Sequence, residues 1–223
     1  MAEVELTAAE KRKVLNKVID EVNKGTGEQT IGFAKVLAKP LTFIPTPSEE
    51  LNIMLGGGLP IGRITEAFGN NSSGKTSIMM ETIGEDMEEH PNNYWGWIES
   101  EESFDPKYAE EVHGIDLDRL IYIDVTDQGA EKSLDRLESL MRTGVLRGFV
   151  VNSIAGLSPK AEMDEEIGKH SIALQARMMS KLMRKWTVLI GKKDLVAVFI
   201  NQQRTDVNSR FGDPNVTPGK KVS

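Results

Sequence analysis

The sequence predicts an α/β protein with a mainly parallel sheet and helices on both faces, preceded by an N-terminal helix and linker. Three observations lead to this fold class. From Ser48 onward, short apolar runs alternate with amphipathic stretches of helical length, which is typical of strand–helix–strand units. A glycine-rich loop joins the first core strand to the next helix. Residues 25–47 are rich in Gly and Pro, so they separate a first helix from the core.

The first 47 residues are predicted to form one helix and a linker that docks on another subunit or on the core. Thr7 and Glu10 have the spacing of a capping box, which begins a helix. Apolar residues then recur on one helical face, at Val14, Leu15, Val18, Ile19 and Val22. Gly25 ends the helix, and one short strand is expected at Thr30–Phe33. An amphipathic helix of this kind needs a partner surface, either its own core or a neighbouring subunit.

Residues 48–223 are predicted to form the core domain, with strands and helices in alternation. The predicted strands cover residues 64–68, 94–98, 120–123, 149–151 and 195–200. The predicted helices cover residues 76–89, 106–112, 131–142 and 171–192. Because the carboxyl ends of parallel strands meet at one edge of a sheet, the residues that follow these strands are the candidates for a ligand site.

Composition excludes several classes of protein. The 223 residues contain no cysteine, which excludes disulfides and thiolate metal sites. There is no apolar run near 18 residues, so no membrane span is expected. The N-terminal segment is too polar for a secretory signal, and the cytoplasm is the expected compartment.

The glycine-rich loop has the pattern G-x-x-x-x-G-K-[ST]. It consists of Gly69, Asn70, Asn71, Ser72, Ser73, Gly74, Lys75 and Thr76. Glycines let backbone N–H groups turn toward phosphate oxygens, and the following helix directs the positive end of its dipole to the same place. Lys75 is expected to reach the β- and γ-phosphates of ATP, and the Thr76 hydroxyl to hold Mg²⁺. The sequence therefore predicts a P-loop that binds ATP with magnesium.

Hydrolysis also needs a carboxylate that activates water. Strand 94–98 is followed by Glu99-Ser100-Glu101-Glu102, which leaves three candidates. Strand 149–151 is followed by Asn152, a neutral residue where a carboxylate beside the metal is expected. Replacing Asn152 by Asp is therefore expected to strengthen the hold on magnesium, since a full charge would replace an amide dipole. The amides after the last strand, among them Gln202, are well placed to sense a γ-phosphate.

The helix predicted at 171–192 has an apolar face and a basic face. The apolar face consists of Ile172, Ala176, Met179, Met183, Trp186 and Ile190. The other face carries Arg177, Lys181 and Arg184, with Ser180 beside them. Residues 160–223 contain 12 Lys and Arg against 7 Asp and Glu, whereas residues 1–159 contain 15 against 27. This pattern indicates either a surface for a nucleic-acid backbone or a solvated basic face.

Several separate motifs together resemble the RecA family of bacterial recombinases. They are Gly58–Ile64 before the P-loop, Ile98–Glu101 with Phe104–Tyr108, Leu157–Glu162, Ala176–Ser180, Phe199–Gln202, and Arg204–Gly219. The motifs extend over nearly the whole chain. The resemblance implies a P-loop ATPase core that stops just after the family's second DNA-binding loop, so the C-terminal part of the core and the C-terminal domain are expected to be missing.

The resemblance also implies roles for individual residues. Glu101 would be the catalytic carboxylate, while Asp105 and Tyr108 would contact adenine. Gln202 would sense the γ-phosphate and relay its presence to DNA. Residues 162–172 would form the first DNA-binding loop. The second would contribute Arg204, Val207, Arg210 and Gly219, with Val207 wedged between bases. The N-terminal helix and the strand near Ile31 would dock on the next subunit.

Three departures from the family pattern accompany the resemblance. Asn152 replaces the usual Asp, Asn70-Asn71 replace Pro-Glu, and Pro218-Gly219 stand where Gly-Gly is common. The expected function is a DNA-dependent ATPase recombinase that forms filaments on single-stranded DNA and promotes pairing and strand exchange with homologous double-stranded DNA. Two alternatives remain. One is a DNA-coating filament protein that binds nucleotide but hydrolyses it poorly. The other is a regulatory ATPase of the same fold that acts on a protein partner.

Overall fold

A computed structural model describes residues 6–125, 129–164 and 174–202, and the backbone of residues 204–205 and 215–216. The chain forms two compact units, Met1–Leu41 and Thr42–Ser223. The second unit thus begins six residues before the predicted start of the core at Ser48. Within the described residues, no helix is long and apolar enough to cross a membrane.

The first unit is built on helix α1, Ala8–Thr26, which begins with the predicted capping box. The Thr7 hydroxyl accepts the N–H of Glu10, and the Glu10 carboxylate accepts the N–H of Thr7 at 2.9 Å. The helix ends at Gly27, whose φ of 69° is in the left-handed region that glycine tolerates. No residue of α1 is buried, and Val14 is 54% exposed. The apolar face predicted from the sequence therefore lies open in this unit.

The prediction of a strand at Thr30–Phe33 is wrong, since these residues form no strand. The side chain of Asn23 takes up the backbone groups that a strand partner would use. Its Oδ1 accepts the N–H groups of Thr30 and Ile31, at 2.9 and 3.2 Å, and its Nδ2 donates to the carbonyl of Ile31. The chain then turns into a short helix, α2, at Ala34–Leu37. The Asn23 side chain thus makes the hydrogen bonds that a partner strand would otherwise make, since a polar side chain can pair with backbone groups locally.

The second unit contains a five-stranded parallel sheet, which confirms the predicted fold class. Its strands are β3 (Arg63–Gly69), β4 (Tyr94–Glu99), β5 (Leu120–Asp124), β6 (Leu146–Asn152) and β7 (Val196–Gln202). They are arranged in the order β3-β7-β6-β4-β5. The helices around the sheet are α4 (Lys75–Glu89), α5 (Pro106–His113), α6 (Ala130–Thr143), α7 (Lys160–Met163) and α8 (Leu174–Lys193).

Shorter elements, absent from the sequence prediction, surround this sheet. They are the antiparallel pair β1 (Phe43–Ile44) and β2 (Leu59–Pro60), helix α3 (Glu49–Leu55) between them, 3₁₀ turns at Leu117–Arg119 and Ile154–Gly156, and the antiparallel pair β8 (Arg204–Thr205) and β9 (Asn215–Val216). Strands of two residues give too few positions for an alternating pattern, so periodicity could not find them.

Strand β6 begins three residues before its predicted start. The prediction began too late because Gly148 interrupts the apolar pattern of the sequence. A Cβ at Gly148 would lie 2.6 Å from both the Trp95 ring and the carbonyl oxygen of Val196. Glycine is therefore needed at position 148 because the Trp95 ring packs directly over it. The sheet separates two apolar cores. One contains Trp95 and Trp97 beside α4, and the other contains Phe149 and Trp186 beside α6 and α8.

All three tryptophans donate their indole N–H to a buried acidic side chain. Trp95 donates to Asp86 at 2.8 Å, Trp97 to Glu99 at 3.0 Å, and Trp186 to Glu138 at 3.0 Å. Each indole fills a core while its single polar group is paired, because an unpaired buried N–H would be costly. These bonds also give each of the three buried carboxylates a donor inside the protein.

Glu138 is held by three donors from two helices. Besides Trp186, its carboxylate accepts from Arg142 on its own helix and from Lys185 on α8, each at 2.7 Å. Burial raises the pKa of Glu138, but the hydrogen bonds from Lys185, Arg142 and Trp186 outweigh burial and lower the pKa to about 2. The charged form therefore ties α6 to α8.

The Glu138→Gln substitution should destabilise the protein in a pH-dependent way. At neutral pH, removing the charge leaves Lys185 and Trp186 short of an acceptor, and we expect a loss of about 2–4 kcal/mol. The folded-state pKa lies below the ordinary value of 4.5, so the stabilisation is complete above that value and declines as the pH falls toward 2. Urea unfolding of both proteins across this range measures it. A difference that stays constant with pH would contradict the assignment, and exposed Glu111→Gln is the control.

Candidate nucleotide site

Four strand ends meet at the carboxyl edge of the sheet. Gly69 of β3 pairs with Gln202 of β7, and Glu99 of β4 pairs with Asn152 of β6. An open cleft of about 220 Å³ lies at this edge. Its lining consists of Asn71, Ser72, Lys75, Thr76, Glu101, Asn152, Ile200 and Gln202. Apart from Ile200, every one of these residues was a candidate from the sequence.

The glycine-rich loop has the geometry of a phosphate cradle. Gly74 has a φ of 83°, and Ser72 a φ of 59°, so the loop turns twice through the left-handed region before α4 begins at Lys75. Successive N–H groups in such turns make a concave anion site at the positive end of a helix. The Lys75 ammonium group donates to the carbonyl oxygens of Asn70 at 2.7 Å and Gly69 at 3.2 Å. It therefore lies across the cradle, where a phosphate oxygen could replace these acceptors.

Two oxygen atoms next to the cradle suit a magnesium ion. The Thr76 hydroxyl donates to Asn152 Oδ1 at 3.3 Å. Hydroxyl and amide oxygens are hard ligands, and Mg²⁺ in nucleotide sites takes only one or two protein ligands alongside phosphate and water. No group of three or more acidic or histidine side chains that could hold a metal by itself is present among the described residues. These residues fit magnesium that arrives with a nucleotide.

The structure separates the three glutamates that follow β4. Glu99 is 1% exposed, and its carboxylate accepts from the indole of Trp97 and from the Asn152 amide, each at 3.0 Å. Glu101 is exposed and lines the cleft, where its Oε1 accepts from Gln202 Nε2 at 2.6 Å and from the Ser153 hydroxyl. Glu102 is exposed with a φ of 52° and does not line the cleft. Only Glu101 lies both in the cleft and open to water.

Comparison with known protein families agrees with this geometry. The model of the RecA N-terminal domain matches residues 13–222. The chain belongs to the RecA family. The curated relatives named Protein RecA include those of Symbiobacterium thermophilum, 38% identical over 95% of this chain, and Clostridium novyi, 40% identical over 96%. That of Aquifex pyrophilus is 38% identical over 100% of this chain. The chain spans 60–63% of the length of these relatives.

The two residues predicted to contact adenine in a RecA-family site lie on helix α5. Asp105 caps this helix, with Oδ1 accepting the N–H of Tyr108 at 3.1 Å. The Tyr108 ring is 45% exposed and meets His113 edge-on at 4.9 Å between centroids. Neither residue lines the cleft. Their contact with a base remains a prediction, for which the exposed Tyr108 ring has the required accessibility.

Helix α5 is fixed against the P-loop helix α4 by a close backbone contact. A Cβ at Gly84 of α4 would lie 1.7 Å from the carbonyl oxygen of His113. A side chain at position 84 would therefore push the two helices apart. Through this contact, the element that carries Tyr108 packs directly on the helix that begins at the P-loop lysine.

The basic face predicted for the long helix is exposed in α8. Arg177, Lys181 and Arg184 are exposed and Ser180 is half-buried, while Met179, Trp186 and Ile190 are buried on the opposite side. Ala176 and Met183 are half-buried, and Ile172 lies outside the described residues. Arg204 lies in β8, two residues after Gln202. Val207, Arg210 and Gly219 lie outside the described residues, as does most of the loop predicted at 162–172.

Sequence reasoning assigned no role to Ser153 and did not foresee the supporting position of Glu99. The Ser153 hydroxyl donates a hydrogen bond to the Glu101 carboxylate, although no role was predicted for Ser153. Glu99 was left as one of three candidates, although it supports Asn152 rather than facing the cleft. Ser153 directly follows β6, so the strand-end rule could have found it. Glu99 is buried, and its carboxylate accepts from Asn152 of a different strand, a contact that no local pattern encodes.

The Lys75→Ala substitution should weaken nucleotide binding by roughly 10- to 100-fold, since one or two charge-assisted hydrogen bonds to phosphate would be lost. Titration of a fluorescent ATP analogue into both proteins measures the effect. Lys132→Ala, an exposed lysine on α6, is the matched control and should bind as the wild type does. Wild-type affinity in Lys75→Ala would show that this cleft does not hold the phosphates.

Proposed function

We propose that this chain forms the nucleotide-binding part of a DNA-dependent ATPase recombinase, which assembles into filaments on single-stranded DNA and pairs it with homologous double-stranded DNA. The observation that carries the proposal is the 2.6 Å hydrogen bond from Gln202 to Glu101. It joins two strand ends across the cleft that also contains Lys75 and Thr76. Membership of the RecA family supports the same activity.

In this proposal, the loop N–H groups and Lys75 bind the β- and γ-phosphates of ATP. The ammonium group of Lys75 exchanges its carbonyl partners at Gly69 and Asn70 for phosphate oxygens, which are charged and therefore stronger acceptors. Thr76 and Asn152 lie where the magnesium ion would be held. The ion, when bound, neutralises charge on the phosphate oxygens and lowers the barrier to water attack.

Glu101 is proposed as the general base. Its Oε1 is engaged by Gln202 and Ser153, which fixes the side chain. Its Oε2 has no hydrogen-bond partner among the described residues and can accept a proton from an attacking water. A fixed carboxylate with one oxygen available suits this role, because a general base must lie within hydrogen-bond reach of the proton that it takes.

The Glu101–Gln202 contact also offers a route from nucleotide to DNA. A γ-phosphate beside Lys75 would compete with Glu101 for the Gln202 amide. Gln202 is the last residue of β7, and Arg204 begins β8 two residues later. A change at Gln202 therefore reaches the segment predicted as the second DNA-binding loop across two backbone steps. The exposed cations of α8 provide a second phosphate-binding surface.

Filament formation is proposed to use the exposed apolar face of α1. Val14, Leu15, Val18 and Val22 are each more than 40% exposed. An exposed apolar stripe on a 19-residue helix is stabilised when it packs against another surface, and such stripes commonly mark interaction sites. We propose that this surface belongs to the next subunit, and that the protein works in the cytoplasm.

A second candidate function is a DNA-coating filament protein that hydrolyses ATP poorly. One observation favours it. Asn152 places an amide, rather than a carboxylate, beside Thr76, so the direct electrostatic hold on magnesium is weaker. Phosphate release with and without single-stranded DNA separates the candidates. DNA-stimulated release supports the recombinase, DNA binding without release supports the coating protein, and release without DNA binding supports a regulatory ATPase with a protein partner.

Glu101→Gln should retain ATP and DNA binding but lose about 10²-fold or more of the hydrolysis rate, the usual effect of removing a general base. The amide keeps the shape of the side chain but cannot take a proton. Phosphate release under saturating ATP and DNA measures it. Glu102→Gln is the matched control, since Glu102 is exposed and outside the cleft. If the Glu102 variant lost turnover and the Glu101 variant did not, the assignment of the base would be wrong.

Arg177→Ala should weaken binding to all single-stranded DNA sequences alike and make it less dependent on salt. Each phosphate contact contributes about −0.7 to the slope of log affinity against log salt, so losing one contact should reduce the slope by about 0.7. Salt titrations with two unrelated oligonucleotides, with a non-hydrolysable ATP analogue present, measure this. Arg136→Ala, an exposed arginine on α6, is the matched control. An unchanged slope in Arg177→Ala would show that Arg177 makes no phosphate contact.

A further inference from the structure

Glu99 and Asn152 form a buried pair behind the proposed magnesium position. They end adjacent strands in register, and each is 1% exposed. The two oxygens of the Glu99 carboxylate accept four hydrogen bonds. Oε2 accepts from the Trp97 indole and the Asn152 amide, each at 3.0 Å. Oε1 accepts from the N–H of Glu101 at 2.8 Å and from the Ser103 hydroxyl at 3.4 Å. The carboxylate is thus held in one orientation.

This contact decides which end of the Asn152 amide faces the P-loop. The Nδ2 group donates to Glu99, so Oδ1 points to the Thr76 hydroxyl at 3.3 Å. The reverse orientation would place Oδ1 against a carboxylate oxygen, which can only accept. It would also turn an N–H group, rather than an oxygen, toward the metal side. Without Glu99, the two orientations of Asn152 would differ far less in energy.

We propose that Glu99 is a positioning residue for magnesium in this chain, acting through Asn152. The pair carries one negative charge, located on the residue behind the ligand rather than on the ligand itself. The carboxylate polarises the amide through its N–H and so increases the negative partial charge on Oδ1. Residues behind a metal ligand commonly act in this way. This inference rests on the proposed nucleotide function of the cleft.

The pair changes the expectation for Asn152→Asp. On the sequence alone, that substitution strengthens the hold on magnesium. In the structure, it would place a second carboxylate 3.0 Å from Glu99, where each of the two residues is only 1% exposed. Two like charges at this separation repel strongly. The single substitution should therefore lower the melting temperature in magnesium-free buffer.

Two variants separate positioning from stability. In Glu99→Gln, the carboxylate becomes an amide that can donate as well as accept, so the Asn152 amide is free to turn either end toward Thr76. In the double variant Glu99→Gln/Asn152→Asp, the introduced carboxylate presents an oxygen to Thr76 in either orientation, and the introduced amide donates to its other oxygen. Both variants lose one acceptor for the donors around Glu99, so both should melt at a similar, lower temperature than the wild type.

The test measures how much MgCl₂ is needed for half-maximal binding of a fluorescent ATP analogue. We expect Glu99→Gln to need about 10-fold more magnesium than the wild type, and the double variant to return to the wild-type requirement or below. Binding in the presence of EDTA should be the same in all three. Glu138→Gln is the control for loss of a buried carboxylate, since it should lower the melting temperature without changing the magnesium requirement.

The possible outcomes have distinct meanings. A wild-type magnesium requirement in Glu99→Gln would overturn the inference, as would a double variant as impaired as the single one. An Asn152→Asp protein as stable as the wild type without magnesium would also overturn it. A wild type that binds no nucleotide at any magnesium concentration would instead refute the proposed function of the cleft, and the inference with it.

Discussion

Parallel pairing in a fixed register is the constraint on which the rest of this structure depends. The backbone bonds that align Gly69 with Gln202, and Glu99 with Asn152, bring four chain segments to one edge of the sheet. A slip of one residue between two strands would turn every side chain of the slipped strand to the other face. Gln202 could then no longer reach Glu101. The cleft is therefore a product of strand register, which the two apolar cores hold in place.

The sequence was informative where chemistry is local. The loop from Gly69 to Thr76 is a contiguous pattern, so its place between a strand and a helix could be predicted and is confirmed by the structure. The long strands and helices of the core were predicted to within three residues because their apolar patterns repeat over many positions. The basic face of α8 followed from helical spacing alone, since a helix with one buried face must expose the other.

The features that the sequence did not predict depend on contacts between residues that are distant in the chain. Nothing near Asn23 in the sequence shows that its side chain would replace the partner of a strand at Thr30–Phe33. The three glutamates after β4 are close in sequence, yet Glu99 is buried and Glu101 lines the cleft. The residues alone left all three open, and the resemblance selected Glu101. Asn152 likewise reads as a lost charge in the sequence, whereas in the structure its amide donates to the carboxyl group of Glu99 on the neighbouring strand.

The pairing of every tryptophan with a buried carboxylate gives the protein three optical reporters. The emission of an indole responds to the charge at its N–H, and here each of those charges belongs to a different part of the molecule. Trp97 touches Glu99 behind the nucleotide cleft, and Trp186 touches Glu138 between α6 and α8. Trp95 touches Asp86 at the start of its strand, the opposite edge of the sheet. In variants that retain one tryptophan at a time, intrinsic fluorescence can thus follow the cleft, the packing of α6 on α8, or the distal edge without any added label.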